Sequence, residues 1–461
     1  MEHQVETNKT TSLAFKARRR EPELISPAKP TPRELKILSN IDDQIDLRRY
    51  FHGIFFYKYN PSSIIKGSSD PVQVIRKALA ETLVYYYPFA GRLWEGPNRK
   101  LTVDCNGEGV LFVEADAAVA LVDFGEDLHP PFPCLEELLL DVEGSIGFLD
   151  SPLLLLQVTR LKCGGFIFGV SFNHVMCDGG GFRLFLRMLE ELARGSNAPS
   201  IPPVWDRHLL NARDPPCVTH VHHEYDEDAI GDAGGPIPED PMVQRSFFFG
   251  PKDISAIRRL VPSDLGGRIT TFDLLASFLW RCRTIALRPL PDAKTRLFLT
   301  VNTRSFFRNP PLPSGYYGNV ICSPVAITTA GELSERPLEF ALRLVREAKS
   351  MVTEEYVRSF VDLLAKIGLR NAALRDTYIL SDTRRLGFDD VDLGWGPPVY
   401  GGSAEGGYWG VNWLLPCKKT NGETGTVVQV ILPEPAMERF AEQLALVFGD
   451  DGSRKPIRSS L

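Results

Sequence analysis

Phe166-Ile167-Phe168-Gly169-Val170-Ser171-Phe172-Asn173-His174-Val175-Met176-Cys177-Asp178-Gly179-Gly180-Gly181-Phe182 reads as a strand, a tight turn and the start of a helix. Phe166, Phe168, Val170 and Phe172 alternate with Ile167, Gly169, Ser171 and Asn173, the two-residue period of a buried strand. Beyond the turn, Phe182, Phe185, Leu186, Leu189 and Ala193 recur at helical spacing. His174 therefore falls at a strand end, where a rigid scaffold fixes a side chain and leaves it accessible. The HxxxD spacing of His174 and Asp178 has two readings. One is a catalytic base; the other is a hydrogen-bonded structural histidine beside a helix-starting aspartate. The glycines Gly179, Gly180 and Gly181 lack the spacing and the acidic partner of a dinucleotide loop, and fit close approach to a ligand or another strand.

The chain has 461 residues, more than one core usually supports, which predicts two domains. With 43% hydrophobic and 24% charged residues it has the composition of a soluble globular protein. A net charge of −6 argues against a nucleic-acid partner. Met1 to Glu23 contains no apolar core of a secretory signal, and Glu2, Glu6, Glu21 and Glu23 weaken a transit-peptide reading. No run approaches about 18 uninterrupted apolar residues, so no membrane span is expected. The 8 cysteines form no CxxC pair and read as free thiols of a cytoplasmic protein. Cys177, inside HxxxD, is the one that invites a nucleophile reading.

Working outward, Ile54–Tyr57 reads as a strand and Val72–Tyr86 as a helix stopped by Pro88. Leu101–Val103 and Val110–Glu114 read as further strands. Proline, glycine and charge interrupt the pattern between Gly195 and Pro241, which reads as a crossover linker. Its His220, His222 and His223 lie near Cys217 without the spacing of a metal site, and read as exposed loop histidines. No metal is expected anywhere in the chain. After Gln244 come a strand at Phe247–Phe249 and helices at Asp253–Leu260 and from a Thr270 cap through Cys282. A strand at Arg296–Arg304 and helices at Glu339–Thr353 and Met437–Phe448 follow. The expected division is an N-terminal domain at 1–195 carrying HxxxD, a linker at 196–240 and a C-terminal domain at 241–461. The fold class is mixed α/β.

Two further features stand out. Asp392-Leu393-Gly394-Trp395-Gly396 reads as a tight loop anchored by an aromatic side chain, structural rather than chemical. Val301-Asn302-Thr303-Arg304 ends a strand in an arginine suited to pair with an acid and steady a neighbouring turn. No GxSxG elbow, Walker loop or HExxH is present.

Together these stretches resemble the BAHD superfamily of plant acyl-CoA-dependent acyltransferases over nearly the whole chain. His174–Gly179 matches its HxxxDG motif and Asp392–Gly396 its DFGWG motif, in the same order. Tyr87–Leu93, Leu279–Arg283 and Arg304 leading into Pro311–Asn319 add support. Glu21–Pro32 and Pro131–Leu138 resemble the alcohol acyltransferases of the benzyl alcohol O-benzoyltransferase type. The resemblance implies two domains related to chloramphenicol acetyltransferase, with a solvent channel between them that admits acyl-CoA from one face and a small alcohol from the other. It implies that His174 is the general base, with no covalent acyl-enzyme. Asp178 would pair with Arg304 and so support the site, together with Gly179. Asp392, Gly394, Trp395 and Gly396 would be structural and outside the catalytic centre. The expected protein is a monomer that needs no cofactor, the CoA thioester being a co-substrate.

Two positions depart from the family pattern. Leu393 replaces a phenylalanine, and Ser381-Asp382-Thr383 stands where hydroxycinnamoyltransferases resemble Thr-Ser-Trp. The missing tryptophan argues against a shikimate- or quinate-type acceptor. Ser381, Thr383 and Asn302 are expected as oxyanion or substrate contacts. The expected reaction is transfer of benzoyl or a similar acyl group to a small alcohol hydroxyl. Transfer to an amine and a non-catalytic ligand-binding homologue are the alternatives.

Overall fold

The computed structural model describes residues 13–61, 70–125, 127–140, 148–227, 240–263, 265, 267–408 and 410–449. Two large sheets organise the described residues, each backed by helices. In the first sheet the strands run in the order Ala17–Arg19, Val110–Ala117, Leu154–Leu161, Phe166–Asn173, Tyr50–Tyr57, Tyr400–Ser403, with Glu23–Ile25 also paired to Val110–Ala117. Every residue of Phe166–Asn173 is buried, so the strand is covered on both faces. The helices Pro71–Tyr85 and Gly179–Ala193 close one of those faces, through Ile75, Leu79, Phe182, Phe185 and Leu189 in one apolar cluster.

In the second sheet the order is Met242–Phe249, Thr424–Pro433, Val411–Lys418, Thr377–Asp382, Lys294–Asn302, Ile321–Cys322. Helices Pro251–Arg259, Thr271–Leu287, Leu338–Ser350 and Glu434–Phe448 build its core around Trp280, Leu297, Leu342 and Phe440. A two-domain fold with mixed α/β layers, as expected from the sequence, is what this arrangement forms. The two halves also interlock. Tyr400–Ser403 leaves the second half and pairs antiparallel with Tyr50–Tyr57 of the first, Gly401 opposite Phe55. No described helix is long and apolar enough to cross a membrane.

Several local expectations need correction. The helix expected over Glu339–Thr353 ends at Ser350, and a second helix, Glu354–Ile367, follows after a Thr353 cap. Thr353 accepts the Tyr356 amide on its side chain, which starts a new helix instead of extending the old one. The strands Thr377–Asp382, Val411–Lys418 and Thr424–Pro433 are not expected from the sequence: the last two contain long buried runs, and the first is short and lacks a clean alternation. Arg304 lies beyond its strand, which ends at Asn302, in a short 3₁₀ turn. Within the linker, the described part is docked and not free: it forms 3₁₀ turns at Arg207–Leu210 and His223–Tyr225. Its Gly231–Pro238 stretch lies outside the described residues. His222 is buried, its ring 4.6 Å from that of Tyr356 and hydrogen-bonded to Ser359, not exposed as expected.

Candidate active site

Both large sheets contribute to one channel. His174 follows the last residue of Phe166–Asn173 and lines two adjoining cavities, of 110 and 470 Å3. Opposite it the second sheet presents a row set by parallel strand register: Thr300 is level with Ser381, and Ser381 with Trp413. All three residues line both cavities with His174. They lie towards the carboxyl ends of two parallel strands and beside a third, where open α/β sheets gather ligands. Phe51, level with Phe172 in the first sheet, packs edge-on against both His174 (6.2 Å) and Trp413 (6.0 Å).

The turn that carries His174 is held by hydrogen bonds from several segments. The His174 amide donates to the Arg49 carbonyl (2.9 Å), and its carbonyl accepts from Asn319 Nδ2 (2.9 Å). Val175 donates to Asn173 Oδ1 (3.3 Å), and Arg207 Nη2 donates to the Met176 carbonyl (2.7 Å). Asn319 is itself fixed by Asp42, whose Oδ1 accepts from its amide (2.8 Å) and its Nδ2 (2.9 Å). Arg207 reaches the same oxygen at 3.2 Å. Linker and second half together thus set the position of His174. Its Nδ1 is buried with no hydrogen-bond partner among the described residues. Burial disfavours the imidazolium and holds the His174 pKa below the ordinary imidazole value.

Asp178 does not orient His174. Its two oxygens accept from Arg304 Nη1 and Nη2, both at 2.8 Å, and from the Gly181 and Val320 amides at 2.8 and 2.9 Å. Burial alone would raise this carboxyl; the Arg304 charge and the four hydrogen bonds outweigh it and hold the pKa below the usual carboxylate range. The Gly181 bond also caps the helix Gly179–Ala193. A Cβ on Gly181 would lie 2.0 Å from the Tyr317 carbonyl oxygen, so the glycine admits a strand-flanking loop of the second half. Gly179 lines the smaller cavity. Cys177 is fully buried and its thiol is pushed well above its usual pKa by that burial, unlike an activated nucleophile.

Among the other expected contacts, Ser381 lines both cavities. Thr383 lines the smaller one, but its hydroxyl donates to the Leu414 carbonyl (3.0 Å). Asn302 Oδ1 accepts the Arg304 amide (3.1 Å) and so supports the arginine. Asp392 Oδ1 accepts the amides of Gly394 (2.7 Å) and Gly396 (2.8 Å), whose φ values are 108° and 89°. Only glycine adopts this tight ring without strain. Trp395 then packs on Phe166 (5.1 Å), the first residue of the strand that ends beside His174. At roughly 3.3 Å per residue that strand separates the tryptophan loop from the channel centre by its whole length. Leu393 is fully buried. Asp42, Arg207, Phe51 and Trp413 have no assigned site role in the sequence, since they come from distant segments and no local pattern marks them; Asn319 ends a stretch that matches the family, with no role assigned to it there. Among the described residues no cluster of His, Cys, Asp and Glu is arranged to hold a metal ion.

A channel between two sheet-rich domains, with a histidine at its centre, is the architecture of a chloramphenicol-acetyltransferase-like enzyme. Vinorine synthase has the same fold, with a TM-score of 0.70 over 94% of this chain and 98% of its own, at 22% identity. So does TRI101 of F. graminearum complexed with Coenzyme A and Deoxynivalenol, with a TM-score of 0.66 over 88% and 96% at 17% identity. The Transferase family matches residues 15–447, and the chain belongs to it: it is a BAHD acyltransferase. It is 54% identical to a benzyl alcohol O-benzoyltransferase of Nicotiana tabacum over 95% of both chains. It is 56% identical to a (Z)-3-hexen-1-ol acetyltransferase of Arabidopsis thaliana over 96% of this chain and 98% of that one.

Proposed function

We propose that this enzyme transfers a benzoyl or similar acyl group from a CoA thioester to the hydroxyl of a small, uncharged alcohol, with His174 as general base. The observation that carries this reading is the place of His174 where two cavities meet, with Ser381 and Trp413 facing it. With Nδ1 buried, Nε2 is the nitrogen left to meet the alcohol. It takes the hydroxyl proton as the oxygen attacks the thioester carbonyl. The tetrahedral oxyanion collapses and the C–S bond breaks. The imidazolium then gives its proton to the departing thiolate, so ester and free CoA leave and the enzyme is restored. The depressed pKa keeps His174 neutral, the form a base requires. General-base assistance contributes on the order of 10²–10⁴ in rate, and holding both substrates in one channel contributes the larger share. Ser381 is the hydroxyl we assign to the developing oxyanion, since that of Thr383 is committed to Leu414.

A third cavity of 810 Å3 shares Thr300, Asn302 and Asp382 with the channel and is lined by Lys349, Arg384 and Arg385. Lys349 is paired with Asp273 and Arg384 with Asp382, so Arg385 is the cation we assign to the phosphates of CoA, which enter from this side; the alcohol takes the 470 Å3 cavity. The thioester is a co-substrate, and the reaction uses no resident cofactor. The protein acts as a cytoplasmic monomer without nucleic-acid or membrane partners; its 8 cysteines, all free, favour a reducing compartment. The ester chemistry of the relatives favours an alcohol over an amine acceptor. Incubation with benzoyl-CoA and benzyl alcohol should release free CoA and form ester. An absence of CoA release across a panel of acyl-CoAs and alcohols, or full activity in His174→Ala, would overturn the reading.

A further inference from the structure

The 470 Å3 cavity has a second polar wall, remote in sequence from His174–Gly179 and from Asp392–Gly396. Glu224, in the 3₁₀ turn His223–Tyr225, lines it together with His174. Its carboxylate is almost wholly buried, and Oε1 accepts a 2.7 Å hydrogen bond from the Tyr356 hydroxyl. Oε2 has no hydrogen-bond partner among the described residues. A buried carboxylate oxygen left unpaired costs on the order of 1–3 kcal/mol or more, so a ligand or water that pairs with it is strongly favoured. The rest of the lining combines the apolar Phe298, Phe360 and Leu374 with the polar Gln44, Asp46, Arg49 and Ser323, but none of those four carries a buried side-chain atom without a partner among the described residues, as Glu224 Oε2 does.

The neighbourhood also discriminates between polar groups. Ser359 Oγ accepts the amides of Thr219 (2.9 Å) and His220 (3.0 Å), so its own proton is directed to His222 Nε2 at 2.9 Å. Neutral His222 then carries its proton on Nδ1, which lies 3.8 Å from Glu224 Oε2, beyond hydrogen-bond reach, and is also unpartnered. An acceptor and a donor, both unsatisfied, stand side by side. Burial pushes the Glu224 carboxyl up to about 7, so near neutrality Oε2 alternates between accepting and donating. A hydroxyl matches either state, whereas an ammonium, having only donors, matches one.

We infer that Glu224 is a specificity-determining residue that receives a second hydroxyl of the acceptor alcohol while the reacting hydroxyl lies at His174. The inference rests on the reading of this cavity as the acceptor side, and it narrows the substrate class to alcohols bearing a remote hydroxyl.

The test uses the full-length enzyme with benzoyl-CoA and a series of linear diols, from butanediol to octanediol. Each is compared with the monohydroxy alcohol of equal length. At the chain length that spans the cavity, kcat/KM for the diol should exceed that for its monohydroxy partner by roughly tenfold to a hundredfold. Glu224→Leu should bring this ratio to about one. Glu224→Gln, which keeps an oxygen for Tyr356 and a polar group for the hydroxyl, should retain part of the preference. Amino alcohols of the same lengths should gain less than the diols. The absence of a diol preference at every length, or an equal preference in folded Glu224→Leu, would overturn the inference. Calorimetric titration of the diols into CoA-loaded protein separates the two readings. If no alcohol is acylated but diols still bind more tightly than monohydroxy alcohols, and the Glu224→Leu substitution removes the difference, the acyl-transfer reading fails and the Glu224 site stands. If diols and monohydroxy alcohols bind alike, the Glu224 site fails.

Discussion

Arg304 holds Asp178 through two hydrogen bonds of 2.8 Å each, joining the turn that carries His174 to the sheet of the opposite half. The aspartate of HxxxD therefore has no oxygen to spare for the histidine. It fastens the turn, and Asn319, Arg49 and Arg207 complete the hold at the backbone.

Removing the arginine should expose that dependence. Arg304→Ala leaves a nearly fully buried carboxylate without its counter-ion, and should lower the unfolding free energy by about 3–5 kcal/mol in urea titrations at neutral pH. Asp178→Asn should cost less, because the amide keeps an oxygen for the Gly181 or Val320 amide.

The same pair makes stability depend on acid. The Asp178 pKa is lower in the folded protein than in the unfolded chain, where it is about 3.9. Below that value the unfolded state binds the proton and the folded state does not, so stability rises with pH there. The contribution is complete above about pH 4–5 and is lost as pH falls through the folded pKa. Urea midpoints from pH ~2 to ~5 should climb more steeply in the wild type than in Asp178→Asn.

His174 should govern the acid limb of the rate. A base must be neutral, and its depressed pKa moves protonation below the ordinary value of about 6.5. The kcat/KM profile should stay flat through neutrality and fall only at a pH below the ordinary imidazole pKa. His174→Ala should reduce the rate by about 10²–10⁴ and abolish that limb.

The outer two glycines of the Gly179–Gly181 triplet should respond differently. Gly181→Ala drives a Cβ into the Tyr317 carbonyl and should destabilise the fold by about 1–3 kcal/mol or more. Gly179→Ala meets only the flexible end of Leu386, so its effect on the urea midpoint should stay within about 1 kcal/mol.

Ser381 and Thr383 should separate by function. Ser381→Ala should lower kcat by roughly 10–10³ with little change in the unfolding midpoint. Thr383→Val loses one hydrogen bond to Leu414 and should cost about 1 kcal/mol of stability, with a smaller effect on kcat. Steady-state kinetics set beside urea titration of each variant reads both.

The elements legible from sequence were those with strong local signals. The alternation from Phe166 to Asn173, the apolar spacing from Phe182 to Ala193 and the Thr270 cap each point to one backbone conformation. The motif residues His174, Asp178 and Arg304 were legible because their order and spacing match a family pattern. Val411–Lys418 and Thr424–Pro433 were not, since strands with long buried runs lose the alternation that would reveal them, and Thr377–Asp382 is short and mixes buried with half-buried residues without a clean alternation. Glu224 lay in a proline- and glycine-rich stretch where neither burial nor partners can be read.

By itself the sequence determined the strand–turn–helix around His174, the family and the histidine we propose as base. These depend on interactions within a few residues or on a motif read in order. Tertiary structure decided what surrounds that base. Strand register aligned Thr300, Ser381 and Trp413; long-range pairing joined Asp178 to Arg304 and His174 to Asn319; docking of the linker brought Glu224 to the cavity wall. Each of these contacts joins residues far apart in the chain, and only the packing of the two sheets brings them together.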